Sequence, residues 1–367
     1  MLRKQKKWIF PFVFFYCIIF FSQNLLFACE ICGIGGFGGS KGALRGQSIT
    51  SPEIVGKNRL SLGFLFEYQD WKDNDPEKSH KQHHQSRDSH SRIKDKMYSA
   101  VLGYGVTDNL SVTLQIPYVE RRTRQVEEHD FVGQRERSEG MGDIISFGKY
   151  RFYNKLFGAT AIFGIKSPTG ETDQRDKVGN RFEPEEQPGT GSIDWIFGMA
   201  LNKHFGPFTI DGSIFYQLKG GGSQDYEFGD IVRANIQGAY TVKERGRYPG
   251  IELLAGVNAL FAEKDHEDSE RISDSGGTTV FFSPGLSSNI TKSLNSSVSV
   301  LIPVLQNLGR DHKEIDYDGL VRVGDNVLLV PRKDGDIRLI FVIPEGGISS
   351  FWNKNQKILQ DMVSFHL

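Results

Sequence analysis

Two cysteines and four histidines are the residues of this chain best suited to chemistry. Cys29-Glu30-Ile31-Cys32-Gly33 is a C-x-x-C pair, and the third cysteine, Cys17, lies in an apolar N-terminal stretch. Haem attachment would require histidine where Gly33 stands. A redox pair would need a thioredoxin-like unit around it, and none is legible. The remaining readings are a local disulfide between Cys29 and Cys32, or lipidation of Cys29 beside a free Cys32. Residues 70–96 carry His80, His83, His84 and His90 in a polar tract. Imidazoles at this spacing could hold a divalent metal, so these four are the candidate metal ligands; a solvated loop is the simpler account. Residues 263–274 gather Glu263, Asp265, Glu267, Asp268, Glu270 and Asp274, a charge run that could attract cations or merely stay in water. No G-x-S-x-G or comparable nucleophile occurs, and His204 and His266 fall in connections without a serine partner. Neither enzymatic activity nor a cofactor is expected.

The elements that must position these residues are strands. In residues 208–219, Phe208, Ile210, Ile214, Tyr216 and Leu218 fall on one face and Thr209, Asp211, Ser213, Gln217 and Lys219 on the other. A period of two is the strand period, since successive side chains leave opposite faces of a sheet. Ten further runs follow it, at residues 60–68, 98–106, 110–118, 143–153, 159–166, 194–202, 231–241, 251–262, 280–290 and 297–304. One face of nearly every run is apolar and rich in aromatics, while the other carries charges and amides. Connections alternate in length, short then long, with charged loops at residues 120–141 and 263–277. A β-sandwich would alternate too, but has no need for connection lengths in phase.

The fold class expected is therefore all-β: a transmembrane antiparallel up-and-down β-barrel of about 12 strands, with short periplasmic turns and long extracellular loops. An even strand count calls for a twelfth strand after residue 304, and residues 315–323, 327–330 and 337–343 are its candidates. The composition agrees. Phenylalanine numbers 27 and aromatics are 12% of the chain, yet after the N-terminal stretch no apolar run reaches the length of a spanning helix. A barrel reconciles the two because only alternate residues meet lipid. A net charge of -1 gives no bias toward nucleic acid.

Arg3, Lys4, Lys6 and Lys7 precede an apolar stretch from Trp8 to Phe21, and Leu26-Phe27-Ala28-Cys29 follows. This reads as a secretory signal over residues 1–28, with a lipobox-like end that leaves the cleavage type open. Residues 29–58 read as a Gly-rich periplasmic N-terminal segment, with a flexible lead-in at residues 33–46, residues 59–343 as the barrel, and residues 344–367 as a C-terminal tail. The lumen side should hold Lys149, Arg151, Asp194, Asp211, Lys219, Arg233, Glu252 and Asn258, since a Lys or Arg facing lipid at mid-depth costs about 2–4 kcal/mol. Whether they line an open pore or lock into a closed polar core is not legible.

Three stretches then carry a resemblance. They are Gly140-Met141-Gly142-Asp143 leading to Gly148-Lys149-Tyr150-Arg151-Phe152, Gly164-Ile165-Lys166-Ser167-Pro168-Thr169-Gly170, and Gly189-Thr190-Gly191-Ser192-Ile193-Asp194. In this order they resemble the outer-membrane transporter family named for the MetA pathway of phenol degradation. The resemblance covers about residues 60–304 and implies an outer-membrane barrel passing aromatic or other small molecules. The chain departs from the family in its cysteine pair, its histidine-bearing loop and its C-terminal segment. The function expected is a channel or transporter in the outer membrane of a Gram-negative-type bacterium, with small-molecule solutes and outer-membrane lipid as its partners. The alternative is a closed structural or metal-binding barrel using the histidine loop.

Overall fold

The computed structural model describes residues 48–71, 90–127, 130–243, 248–272, 275–291, 294–308, 315–331 and 337–339. The expected signal at residues 1–28, Cys29, Cys32, His80, His83, His84 and the expected tail at residues 344–367 lie outside the described residues, and His90 is described in its backbone alone.

The strands are β1 (Arg59–Trp71), β2 (His90–Gly105), β3 (Leu110–Glu127), β4 in two arms (Asp130–Met141 and Ile144–Asn154), β5 (Gly158–Ser167) and β6 (Asp194–Phe205). They continue as β7 (Phe208–Leu218), β8 (Ile231–Lys243), β9 (Gly250–Ala262), β10 (Gly277–Asn289), β11 (Asn295–Leu308) and β12 (Ile315–Pro331). Each pairs antiparallel with the next, and β1 pairs with β12 from Arg59↔Leu328 to Trp71↔Ile315, which closes the ring. The sheet counts 14 strands; the two arms of β4 form one barrel strand and Ile337–Leu339 pairs only with β12, so 12 make the barrel. Runs 315–323 and 327–330 are thus one strand.

The period-two reading holds in the burial. Along β7 the pattern is strictly alternating around Gly212, with Thr209, Asp211, Ser213, Phe215 and Gln217 buried and Phe208, Ile210, Ile214, Tyr216 and Leu218 exposed. Exposed Phe163, Trp195, Phe197 and Met199 continue this band on β5 and β6, as do Val257 on β9 and Ile302 on β11. Cross-strand rings touch there: Phe163 lies 5.7 Å from Trp195 and 5.5 Å from Phe197, and Phe208 lies 4.8 Å from Tyr240. Such a band in water would be a large exposed apolar surface, whereas against hydrocarbon it is matched to its solvent.

Two stretches differ from expectation. Residues 120–141 are not a loop: β3 and the first arm of β4 pair from Tyr118↔Met141 to Glu127↔Asp130, raising a hairpin above the barrel. Its residues are charged on both faces, so no apolar alternation betrays the strand. The second difference concerns residues 48–58, expected to precede the barrel. Ile49, Thr50, Ser51 and Val55 are buried, and the segment lies within the barrel before Arg59 starts β1.

Candidate functional site

The candidate site is the lumen. Its two ends are built differently.

At the short-turn end the N-terminal segment is fastened to the wall. Lys149 on β4 donates through Nζ to the carbonyl oxygen of Ser48 at 3.0 Å, and Thr160 on β5 donates to that of Pro52 at 2.6 Å. Asn58 donates its backbone N–H to Gly105 at 2.8 Å, anchoring the exit at the rim of β2. Ile49 packs into an apolar cluster with Ile145, Phe147, Ile162, Ile196, Ala200 and Phe215, all inward-facing on β4 to β7. A cluster of this kind inside a polar lumen is stable only when covered, and the segment supplies the cover. Beneath it, Arg151, Asn154, Asn202 and Lys203 with Pro52 and Glu53 border a cavity of about 380 Å³.

The opposite wall is polar. Asn235 on β8 donates to Asn258 on β9, and Asn258 donates to Ser283 Oγ on β10 at 2.8 Å. Gln237, Thr279, Ser287, Ser297 and Ser299 continue this face, buried and inward. Glu252 is buried and lies 3.5 Å from the Thr241 hydroxyl; Asp211 is buried between Asn202 and Gln237 in register; Arg233 is half-buried between Phe215 and Leu260. Leu260, Phe281 and Leu301 also face inward, each at most 1% exposed. They give the lumen apolar surface that alternation alone did not reveal.

At the long-loop end the three motif stretches meet in one knot. Lys166 on β5 donates to Asp143 at 3.1 Å, to Ser192 at 3.0 Å and to Thr190. Asp143 also accepts from the backbone N–H groups of Gly170 and Thr190, both at 2.9 Å. Asp194 pairs with Lys166 at 3.1 Å and Lys219 at 3.5 Å, and accepts from Ser192 at 2.7 Å and Gln217 at 2.8 Å. Two carboxylates balance two ammoniums, so burial leaves no net charge. Such a pairing is required when desolvating a single ion costs several kcal/mol. Gly170 and Gly189 touch back to back: a Cβ on Gly189 would lie 2.6 Å from Gly170 Cα. Close backbone approach is therefore what the glycines of these motifs provide.

From this knot residues 168–193 fold inward as a lid. Phe182, Pro184, Glu186 and Gln187 are buried, and Gln187 donates to the carbonyls of Phe182 and Gln174 at 2.9 and 3.1 Å. Arg121 on β3, paired with Asp95 at 2.7 Å, donates to the Gln187 carbonyl at 3.4 Å. The lid rests on the loops at residues 219–230 and 263–276. Ser223 donates its N–H to Thr190 at 2.9 Å, and a small sheet joins Tyr226–Glu227, His266–Glu267 and Glu270–Arg271. The acidic run at 263–274 is therefore partly structural, with Asp265 buried.

Of the residues anticipated from sequence, the structure gathers Asp194 and Lys219 in the knot. It sets Lys149 and Arg151 at the short-turn end and spaces Asp211, Arg233, Glu252 and Asn258 between. Sequence reading missed the roles of Asp143, Lys166, Thr190 and Ser192, although the order of the three motifs was their signal. Among the described residues no group of three or more His, Cys, Asp or Glu is placed to hold a metal.

No family model matches the chain, and no curated protein matches it in sequence. An outer-membrane channel of Pseudomonas putida F1 is similar in structure, with a TM-score of 0.54 at 15% identity, over 74% of this chain and 96% of that one. That likeness shows the fold, an outer-membrane type of β-barrel. More distant are the β-domain of the Bordetella autotransporter BrkA (TM-score 0.44, 8% identity, 73% of this chain and 99% of that one) and a deletion variant of the TodX monoaromatic hydrocarbon channel (TM-score 0.40, 10% identity, 74% and 90%).

Proposed function

We propose that this chain is an outer-membrane channel for small molecules, closed at rest by its own N-terminal segment and extracellular lid. One observation carries the reading: a closed barrel of 12 strands, apolar toward lipid, encloses a lumen lined by charges, amides and hydroxyls. A polar interior facing an enclosed lumen is what passage of solutes through a barrel requires. The similar Pseudomonas putida protein is an outer-membrane channel, which supports the same reading.

For cargo, the motif resemblance implies aromatic or other small molecules, and the aromatic class is the one we propose. Phe147 and Phe215 support the aromatic class, since the apolar patch they form under Ile49 would be uncovered to a solute once the N-terminal segment withdraws. The lumen charges Lys149, Arg151, Asp211, Arg233 and Glu252 are of both signs, so weak ion selectivity is expected when the lumen is open.

The test is conductance of the purified, refolded barrel in a planar bilayer, joined to uptake of monoaromatic solutes into vesicles. Current that opens and closes, with uptake above that of empty vesicles, is the expected result. The segment at residues 48–58 filling the short-turn end favours a second reading, a permanently closed structural barrel. A correctly folded barrel that never conducts, with or without that segment, would establish it and overturn the channel.

A further inference from the structure

Three extracellular loops converge on one hydroxyl. Tyr226 Oη, in the β7–β8 loop, lies 2.8 Å from Glu185 Oε1 in the β5–β6 lid and 2.7 Å from Asp265 Oδ2 in the β9–β10 loop. The phenol carries one proton, so it satisfies one of these contacts as donor. The other is an oxygen-to-oxygen approach that needs a proton of its own. With both carboxyls ionised, a carboxylate would face the phenol's lone pairs at hydrogen-bond distance, an arrangement that repels.

We propose that the lid is latched by a proton held between Asp265, Tyr226 and Glu185, and that it loosens when the external medium withdraws that proton. This deepens the channel reading and rests on it for its consequence, since a loosened lid uncovers the lumen. The proton belongs on Asp265. In the latched state Asp265 donates to Tyr226 and Tyr226 donates to Glu185, so every contact has its hydrogen. Asp265 is fully buried, Tyr226 is 5% exposed, and Glu185 is half-buried at the edge where solvent can stabilise its charge. Burial first, and then the neighbouring Glu185 charge, push the Asp265 carboxyl up to about 7. The groups that face it are Glu185 from the lid, Tyr226 and the Gly229 N–H from the β7–β8 loop, and Lys219 at the end of β7. Gly229 donates to Asp265 Oδ1 at 2.6 Å and, with the hydrogen bond to Tyr226 and the Lys219 charge, works in the opposite direction. Along its own loop Glu263, Lys264 and His266 flank it, and Ser275 accepts its backbone N–H at 2.7 Å.

The sign follows from linkage. A carboxyl raised in the latched state stabilises that state fully below its ordinary value near 3.8, and progressively less as pH rises toward about 7. Above that the loss is complete and the dependence flattens.

The test is amide hydrogen exchange of the refolded barrel between pH 5 and 8, corrected for intrinsic exchange and followed in peptides covering residues 219–230 and 263–276. Protection in the native chain should fall by at least about tenfold between pH 5 and 7 and then level off. Asp265→Asn, which keeps a donor for the phenol at every pH, should hold its protection flat. Tyr226→Phe should be poorly protected throughout. A heat-dependent shift in gel mobility shows that each variant has formed its barrel. The latch is refuted if native protection does not change with pH, or if Asp265→Asn loses protection as the native chain does. This readout needs no current, so a barrel that fails to conduct would defeat the channel reading and leave the latch standing.

Discussion

The Lys149 ammonium lies 3.0 Å from the Ser48 carbonyl, joining a fully buried lumen residue of β4 to the N-terminal segment. Lys149→Met keeps the length of the stem and removes the donor; the Ser48 carbonyl keeps the Ser51 N–H at 3.2 Å, so what is lost is one charge-assisted hydrogen bond, about 1.5–3 kcal/mol. Roughly a tenfold rise in the open fraction follows for each 1.4 kcal/mol by which the seated state is weakened. Single-channel recordings should therefore show longer openings in Lys149→Met, and longer still once residues 48–56 are deleted, with the lid still interrupting the current. Unchanged recordings in both would mean that the segment does not gate the lumen.

Asp194 makes a second, independent prediction, at the other end of the barrel. It neutralises Lys166 and Lys219 at once. Asp194→Ala leaves both ammoniums buried against one remaining carboxylate, Asp143, and breaking a buried pair in this way costs about 3–5 kcal/mol. The temperature at which the folded gel band converts to the unfolded one should drop clearly. Asp194→Asn keeps one acceptor oxygen, for Ser192 or Gln217 but not both, and should fall between.

Strand placement was legible because lipid outside and polar lumen inside impose period two; residues 251–262 and 208–219 are read almost to the residue. The raised hairpin of β3 and β4 was not, since Arg121, Arg122 and Glu136 to Glu139 put polar or charged side chains on both faces and leave no apolar alternation to read. The lumen interior was half legible. Asp194 and Lys219 betray themselves as charges on a strand, but Phe147, Phe215 and Phe281 break the alternation, and only the fold shows them facing inward. That Ile49 would cover such residues could not be read locally, because the contact joins positions about a hundred residues apart.

Neighbouring positions on β7 separate the two solvents of the barrel. Ile214 is 54% exposed on the outer band and Asp211 is 1% exposed toward the lumen. Ile214→Lys should weaken folding into lipid vesicles by about 2–4 kcal/mol in urea titrations, the cost of a lysine at mid-depth. Asp211→Asn should leave folding nearly unchanged and shift the permeability ratio toward anions. If the two variants exchanged these effects, the inside and outside of β7 would have to be reversed.

The contact of Gly170 with Gly189 gives the last prediction, on the lid. A side chain at position 189 would meet backbone atoms of Gly170 at 2.6 Å, and backbone cannot step aside as a flexible side chain would. Gly189→Val should therefore separate the two stretches and detach Thr190 from Asp143, to which it now donates through both N–H and Oγ1. The exposed Arg175 and Arg181 then become readily cut by trypsin while the barrel keeps its heat-dependent mobility. Gly221→Ala is the matched control: nothing stands within 4 Å of the added carbon, so cutting should stay at the native rate. Equal protection in both variants would show that the lid is held by its side chains alone, with Gln187 and Arg121 sufficient to seat it.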